Sequence, residues 1–386
     1  MGYVKEHWKY LTGAGGYPGI DFLRALAVML VAVYHFQMLP MGWVGVDIFF
    51  VISGFLIGGI ILDKVKSGSF DFVDFYKKRA LRILPIYYFI MLLCFLFKAG
   101  GVFDFVGVKS ILSGMLFLQT TGPYFFPGFF TVNDAYIPGG SWSLVIEEMF
   151  YLVAPLAIVL LSFISGKRLW FIIAALVVAF ISGIATRIAM TSSFMPDDSS
   201  WHFASFIQFH SRYDELVIGV LAAAYVRFAR DVKAQSAWWI TAALTLIFLF
   251  LMYIFGKPEL LAKPFLMTRD TIWLPTLLGA IGACLVLGIY WMPLQAKPIV
   301  LLARLSYPLY LVHIFFLEIT NRYSQVGILK WMLDAFTHHG RSVVLIVVCV
   351  LLSYLVSLLV EYPFIRMYKT KKAPAVADQK VEAVAA

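Results

Sequence analysis

Eleven apolar runs of about fifteen to twenty-three residues divide the chain almost end to end. They fall near residues 22–38, 44–62, 83–97, 105–119, 142–164, 169–189, 205–226, 236–256, 271–291, 299–319 and 342–362. A hydrocarbon core holds no water for unpaired peptide groups, so a crossing segment must be a helix of about 20 apolar residues. That requirement points to a helical bundle. Composition agrees, with 61% of the 386 residues apolar and 14% charged, against about 45–50% and 25% in a soluble domain. So much apolar surface does not fit inside one soluble core. A soluble enzyme, a disordered chain and a disulfide scaffold are set aside. The run at 22–38 carries Arg24 and lacks a small-x-small cleavage site, so it is expected to stay as the first membrane helix and not leave as a signal peptide.

The runs 83–97 and 105–119 are short, and charge tests whether both cross. Cytoplasmic ends of membrane helices gather Lys and Arg. With the N-terminus inside and one net crossing over 83–119, twenty Lys/Arg fall inside and ten outside; if both runs cross, the ratio drops to sixteen against fourteen. The first arrangement is preferred. The expected fold is an all-α polytopic membrane protein with about ten transmembrane crossings, one short or re-entrant segment near 105–119, and both termini cytoplasmic. Residues 1–19 form a cytoplasmic segment, 20–365 the membrane domain and 366–386 a disordered cytoplasmic tail. The net charge of +9 is spread between apolar runs and forms no compact basic domain, so it is read as topology and not as nucleic-acid binding. Cys94, Cys284 and Cys349 stand singly in apolar runs, which reads as buried structural thiols and gives no metal site.

Charge inside hydrocarbon is costly and marks candidate sites. Arg24 and His35 are eleven residues apart, nearly one helix face and about 16 Å along the axis. A fixed cation and a potential general base thus sit at opposite depths; equally, Arg24 snorkels and His35 bonds a neighbour. Ser143, Glu147 and Tyr151 recur every four residues and form one polar stripe. Glu147 is expected at the outer depth of His35, where a carboxylate can orient a histidine or accept a proton. Its neighbour Glu148 fits better as an N-terminal carboxylate meeting the helix dipole.

The loop before the third crossing ends in Lys77, Lys78, Arg79 and Arg82. These cations are either a phosphate clamp or a topology signal drawn to anionic lipid. Asp47 with Ser53 near the outer end of the second helix can pair with His35 or Arg212. His313 in the tenth run reads as a packing hydrogen bond. The aromatics of 120–141, Tyr136 among them, suit either sugar stacking or the interfacial belt.

Together these stretches resemble the acyltransferase 3 family of integral-membrane acyltransferases. The opening Arg, ten residues and His match Arg24 and His35. Gly45–Ile57 matches the Gly-Val-Asp-aromatic segment. Arg79, Arg82, Ile83 and Pro85 match Arg-x-x-Arg followed by Ile-x-Pro. Ser143, Leu144, Glu147, Phe150 and Tyr151 match Ser-Leu-x-x-Glu-x-x-Phe-Tyr. Arg212–Leu216 with Gly219, and Ser306–His313, match the later blocks, so six motifs run in order over residues 18–365. The fused periplasmic hydrolase-like domain of many relatives is missing, which implies a stand-alone version.

The resemblance implies transfer of an acyl group, usually acetyl, from cytoplasmic acyl-CoA to a hydroxyl of an extracytoplasmic or lipid-linked glycan, in the bacterial inner membrane. Acetyl-CoA would be a co-substrate, with no permanently bound cofactor; the partners would be acyl-CoA, the glycan acceptor and membrane lipids. Arg24, Arg79 and Arg82 would hold the phosphates, and His35 would serve as general base or transient acyl carrier. Glu147 would orient His35 or stabilise its imidazolium, with Asp47, Ser143 and Arg212 in support. A transporter, or a glycan-export or assembly component, is the competing class. It is disfavoured because no inverted repeat is evident and the polar residues gather in the first half.

Overall fold

The computed structural model describes residues 2–13, 16–103, 106–126, 128–130, 142–166, 168–192, 207–257, 272–323 and 336–372. Among them every regular element is helical. A ten-residue helix α1 (Tyr3–Thr12) precedes α2 (Pro18–His35), α3 (Gly45–Ser67), α4 (Phe72–Ala99), α5 (Val108–Met115) and the single turn α6 (Gly122–Phe125). Then follow α7 (Trp142–Ile164), α8 (Leu169–Ser192), α9 (Phe209–Phe228), α10 (Ser236–Phe255) and α11 (Leu274–Ile289). The chain closes with α12 (Lys297–Tyr323), α13 (His338–Val356), a π-helical turn (Ser357–Glu361) and α14 (Tyr362–Lys372).

Eight of these stretches are long and apolar enough to cross a membrane. The other two expected spans are α9, which carries Arg212, Asp214, Glu215 and Arg227, and the 16-residue α11. Between the third and fourth long helices, α5 has only eight residues, about 12 Å at 1.5 Å per residue and far short of the bilayer. Irregular backbone at such a place needs protein partners. Here Tyr87 donates to the Gly114 carbonyl at 2.7 Å, Tyr88 to that of Met115 at 3.1 Å, and Gln208 to that of Thr120 at 2.6 Å.

Two expectations change. The run at 83–97 is not a short helix: it is the C-terminal part of the 28-residue α4, and the cation-rich stretch Lys77–Arg82 lies in that helix and not in a loop. The Asp71 side chain caps α4 by accepting the Asp74 amide at 3.1 Å, so the charges project from an already formed helix. The boundary at residue 20 falls inside α2, because Pro18 supplies a ready first-turn φ. At the other end α14 carries helix to Lys372, beyond the expected boundary at 365. Tyr136 and residues 373–386 of the expected tail lie outside the described residues.

The centre of the bundle is α3, most of which is buried. Its closest partner is α9. A Cβ on Gly54 would meet the Leu216 carbonyl oxygen at 1.9 Å, and one on Gly219 the Val51 carbonyl oxygen at 2.2 Å. These two glycines let the backbones touch, the usual way membrane helices gain packing. Helices α8 and α10 are mostly exposed and form the rim. Cys94, Cys284 and Cys349 are buried free thiols.

Helices α2 and α12 run side by side in the same direction. Arg24 meets Ser306 in the first half of each helix, and further along both, His35 at the end of α2 meets His313 in the middle of α12. This parallel pair is the frame of the site.

Candidate active site

A cleft of about 810 Å³ lies between α2, α3, α4, α7 and α12. On one side it is lined by Arg24, Arg79 and Arg82. Arg24 is buried and donates to Ser306 Oγ at 3.2 Å. Arg79 lies 5.7 Å from the Tyr151 ring centroid. Among the described residues none of the three makes an ion pair. Helix geometry explains why the cation-rich stretch divides. Arg79 and Arg82 are three apart and share the inward face. Lys77 and Lys78 are exposed, and Lys78 pairs with Asp74 at 3.0 Å. A smaller cleft of about 270 Å³ shares Arg24 and adds Arg304 and Asp21. In the sequence Arg304 stands alone among apolar residues, so no local pattern marks it.

The middle of the cleft belongs to α7. Glu147 and Tyr151 line it, and Tyr151 Oη donates to Glu147 Oε2 at 2.8 Å while 3.2 Å from Ser53 Oγ. One turn earlier, Ser143 Oγ is 2.6 Å from Tyr310 Oη. The stripe expected on α7 therefore exists and faces the cleft. Its carboxylate does not bond to His35.

His35 lies beyond the cleft lining, past Tyr310. It is the last residue of α2, and Phe36, Gln37 and Met38 close that helix with a Schellman turn. Gln37 N donates to Tyr34 O at 3.0 Å and Met38 N to Val33 O at 2.8 Å. Gln37 takes the left-handed position at φ 58°, where glycine is usual. The half-buried His35 ring is held by the Val31 carbonyl at 2.9 Å and by His313 Nε2 at 3.2 Å. On α12, Ser306, Tyr310 and His313 recur at intervals of four and three, one stripe about 10 Å long. That stripe joins the arginine end to the histidine end. Tyr310 and His313 were the residues sequence reasoning undervalued, although their helical spacing was visible.

Asp47 and Arg212 line neither cleft. Asp47 had two possible partners, and it pairs with Arg212 at 2.5 Å and not with His35. Arg212 also holds Glu215 at 3.1 Å and sits over the rings of Phe50 and Trp142. The network ties α3, α7 and α9 together behind the cleft.

The acyltransferase domain family matches this chain over residues 17–361. A curated relative, O-acetyltransferase OatA of Staphylococcus aureus strain NCTC 8325, is 27% identical over 332 residues, covering 80% of this chain and 52% of its own. Peptidoglycan O-acetyltransferase OatA of Listeria monocytogenes is 31% identical over 190 residues, covering 46% and 29%. The chain thus spans about half the length, or less, of the curated relatives it matches. No solved structure matches. Since the family match takes in α2 through the π-helical turn, including every residue of the cleft, the chain belongs to the acyltransferase 3 family.

Proposed function

We propose that the protein is a multi-pass O-acyltransferase of the bacterial inner membrane that moves an acyl group, most simply acetyl, from acyl-CoA to a hydroxyl of an extracytoplasmic glycan. One observation carries this reading: Arg24, Arg79 and Arg82 line a single cleft, and among the described residues no carboxylate forms an ion pair with any of them. Three arginines against one cleft carboxylate, Glu147, leave a surplus of positive charge that suits an anionic ligand, and guanidinium forks suit phosphate. The phosphates of acyl-CoA would sit there. Its extended arm would follow the cleft past Glu147 and Tyr151 toward Ser143 and Tyr310.

At the far end His35 acts as general base or transient acyl carrier. In direct transfer it takes the proton of the acceptor hydroxyl as that oxygen attacks the thioester carbonyl. The C–O bond forms, the C–S bond breaks, and the thiolate leaves as CoA and takes up the proton. The relatives' names make peptidoglycan the first acceptor to try. The orientation is supported by the same geometry. A parallel α2 and α12 agree with ten crossings, the first and ninth both running outward, with both termini inside and the arginine end toward the cytoplasm.

The test is labelled acetyl transfer in proteoliposomes supplied with acetyl-CoA on one side and a peptidoglycan fragment on the other. His35→Ala should lower labelling by about 10²–10⁴-fold, the usual weight of general-base catalysis, with unchanged membrane abundance. Solute movement without thioester consumption, or a fully active His35→Ala protein, would overturn the reading.

A further inference from the structure

We infer that His313 is the positioning residue for His35: it fixes the imidazole tautomer and leaves His35 Nε2 as the basic nitrogen. The inference rests on the proposed role of His35 and adds to it.

Carbonyl oxygens only accept. His35 Nδ1 is 2.9 Å from the Val31 carbonyl and His313 Nδ1 is 2.9 Å from the Leu309 carbonyl, so each Nδ1 carries its proton. A neutral imidazole then has its lone pair on Nε2. His313 Nε2, 3.2 Å from His35 Nδ1, is therefore the acceptor, and the His35 Nδ1–H is shared between it and Val31. The His35 Nε2 lone pair is left without a protein donor among the described residues. His35 is half-buried, so that nitrogen can meet a hydroxyl.

His313 itself is 1% exposed. Its ring is 5.0 Å from that of His35 and 5.7 Å from that of Tyr310, so it is clamped between the base and the end of the cleft. When His35 accepts a proton at Nε2, its Nδ1–H faces a neutral acceptor and the hydrogen bond becomes charge-assisted. In a Ser-His-Asp triad a carboxylate does this task. Glu147 does not do it here, because its Oε2 accepts from Tyr151 and no hydrogen bond joins it to His35.

The proposal separates from simple packing through two variants of equal length. In His313→Gln the amide oxygen can stand where Nε2 stands; in His313→Met the acceptor is lost. Rates are taken per donor site, counted by saturable binding of labelled acetyl-CoA. Expected are a kcat loss of about ten- to a hundredfold in His313→Met with KM for acetyl-CoA unchanged, and a His313→Gln protein within about threefold of the parent. In a His35→Ala background the Met substitution should cost nothing further.

If His35→Ala is inactive but His313→Met turns over normally, or Gln and Met are equally impaired, the positioning role is wrong and the base assignment stands. A Met variant with no donor sites marks His313 as structural and also overturns the inference. A fully active His35→Ala protein removes the base assignment itself.

Discussion

Two sets of arginines stand inside this bundle, buried Arg187 and Arg212 behind the cleft and buried Arg24 with half-buried Arg79 and Arg82 within it, and they live by opposite rules. Behind the cleft, Arg212 is paired with Asp47 and Glu215 at 2.5 and 3.1 Å, and Arg187 with Asp214 at 2.5 Å and Thr276 at 2.9 Å. In the cleft, Arg24, Arg79 and Arg82 have a serine, a tyrosine face and the open cleft as neighbours; Glu147 lines the same cleft, but among the described residues no carboxylate is within ion-pair distance of them. Burying a cation costs several kcal/mol unless it is compensated. Where the compensation is built in, the residue serves the fold. Where no carboxylate is paired, the residue suits the anionic donor proposed above.

The sharpest way to break this contrast is to disrupt the paired set. Arg212→Met leaves Asp47 and Glu215 buried together without a cation, a loss of about 3–5 kcal/mol. Thermal unfolding in detergent should show a large fall in stability, and the membrane yield should drop with it. If Arg212→Met melts like the parent, the network is not holding α3 against α9 and the contrast fails.

Removal of an unpaired arginine should do the reverse. Arg79→Gln or Arg82→Gln relieves repulsion among like charges, so the ligand-free protein should melt no lower than the parent. What these variants should lose is stabilisation by ligand. At a hundred times its Kd, acetyl-CoA adds about 2.7 kcal/mol to a protein that binds it only when folded. Melting curves with and without acetyl-CoA read this directly: a clear upward shift in the parent, little or none in the variants. A variant that keeps the full shift would remove that arginine from the donor site.

The difference between the two sets also explains what the sequence could and could not reveal. Arg24 with His35, and Ser143 with Glu147 and Tyr151, were readable because each group lies on one helix and the period of 3.6 does the work. Charge balance singled out the segment at 105–119, and the helix within it, α5, has only eight residues. The partner of Asp47 was not readable. Arg212 is 165 positions away, and only the close approach of α3 and α9 at Gly54 and Gly219 selects it over His35. His313 stands 278 positions from His35, and nothing local marks a buried histidine as the partner of another. The division of Lys77–Arg82 was hidden for a different reason. An apolar count starts α4 at Ile83, whereas its cap at Asp71 starts the helix eleven residues earlier, and only then do Arg79 and Arg82 acquire a common inward face.

The smallest expected effect concerns how the arginine end is covered, and it comes from a neutral contact. Helix α1 docks on the π-helical turn through His7, whose Nε2 is 3.2 Å from Ser357 Oγ and whose ring packs against those of Tyr10, Tyr354 and Tyr362. Ser357 in turn donates to Glu361 at 2.7 Å. Burial holds the His7 pKa down at about 4, below the ordinary 6.5. The folded form therefore binds fewer protons than the released form. The docking contribution of His7 is complete above pH 6.5 and is lost progressively as pH falls from 6.5 toward 4. Hydrogen exchange over residues 3–12, corrected for intrinsic rates, should show protection falling between pH 7.5 and pH 5 while α3 stays protected. His7→Leu should remove most of that dependence, because an apolar side chain in the same pocket has no proton to take up. Equal protection at both pH values in the parent would mean that His7 takes up its proton while still docked, its pKa not held down, and that α1 is held by its aromatic contacts alone.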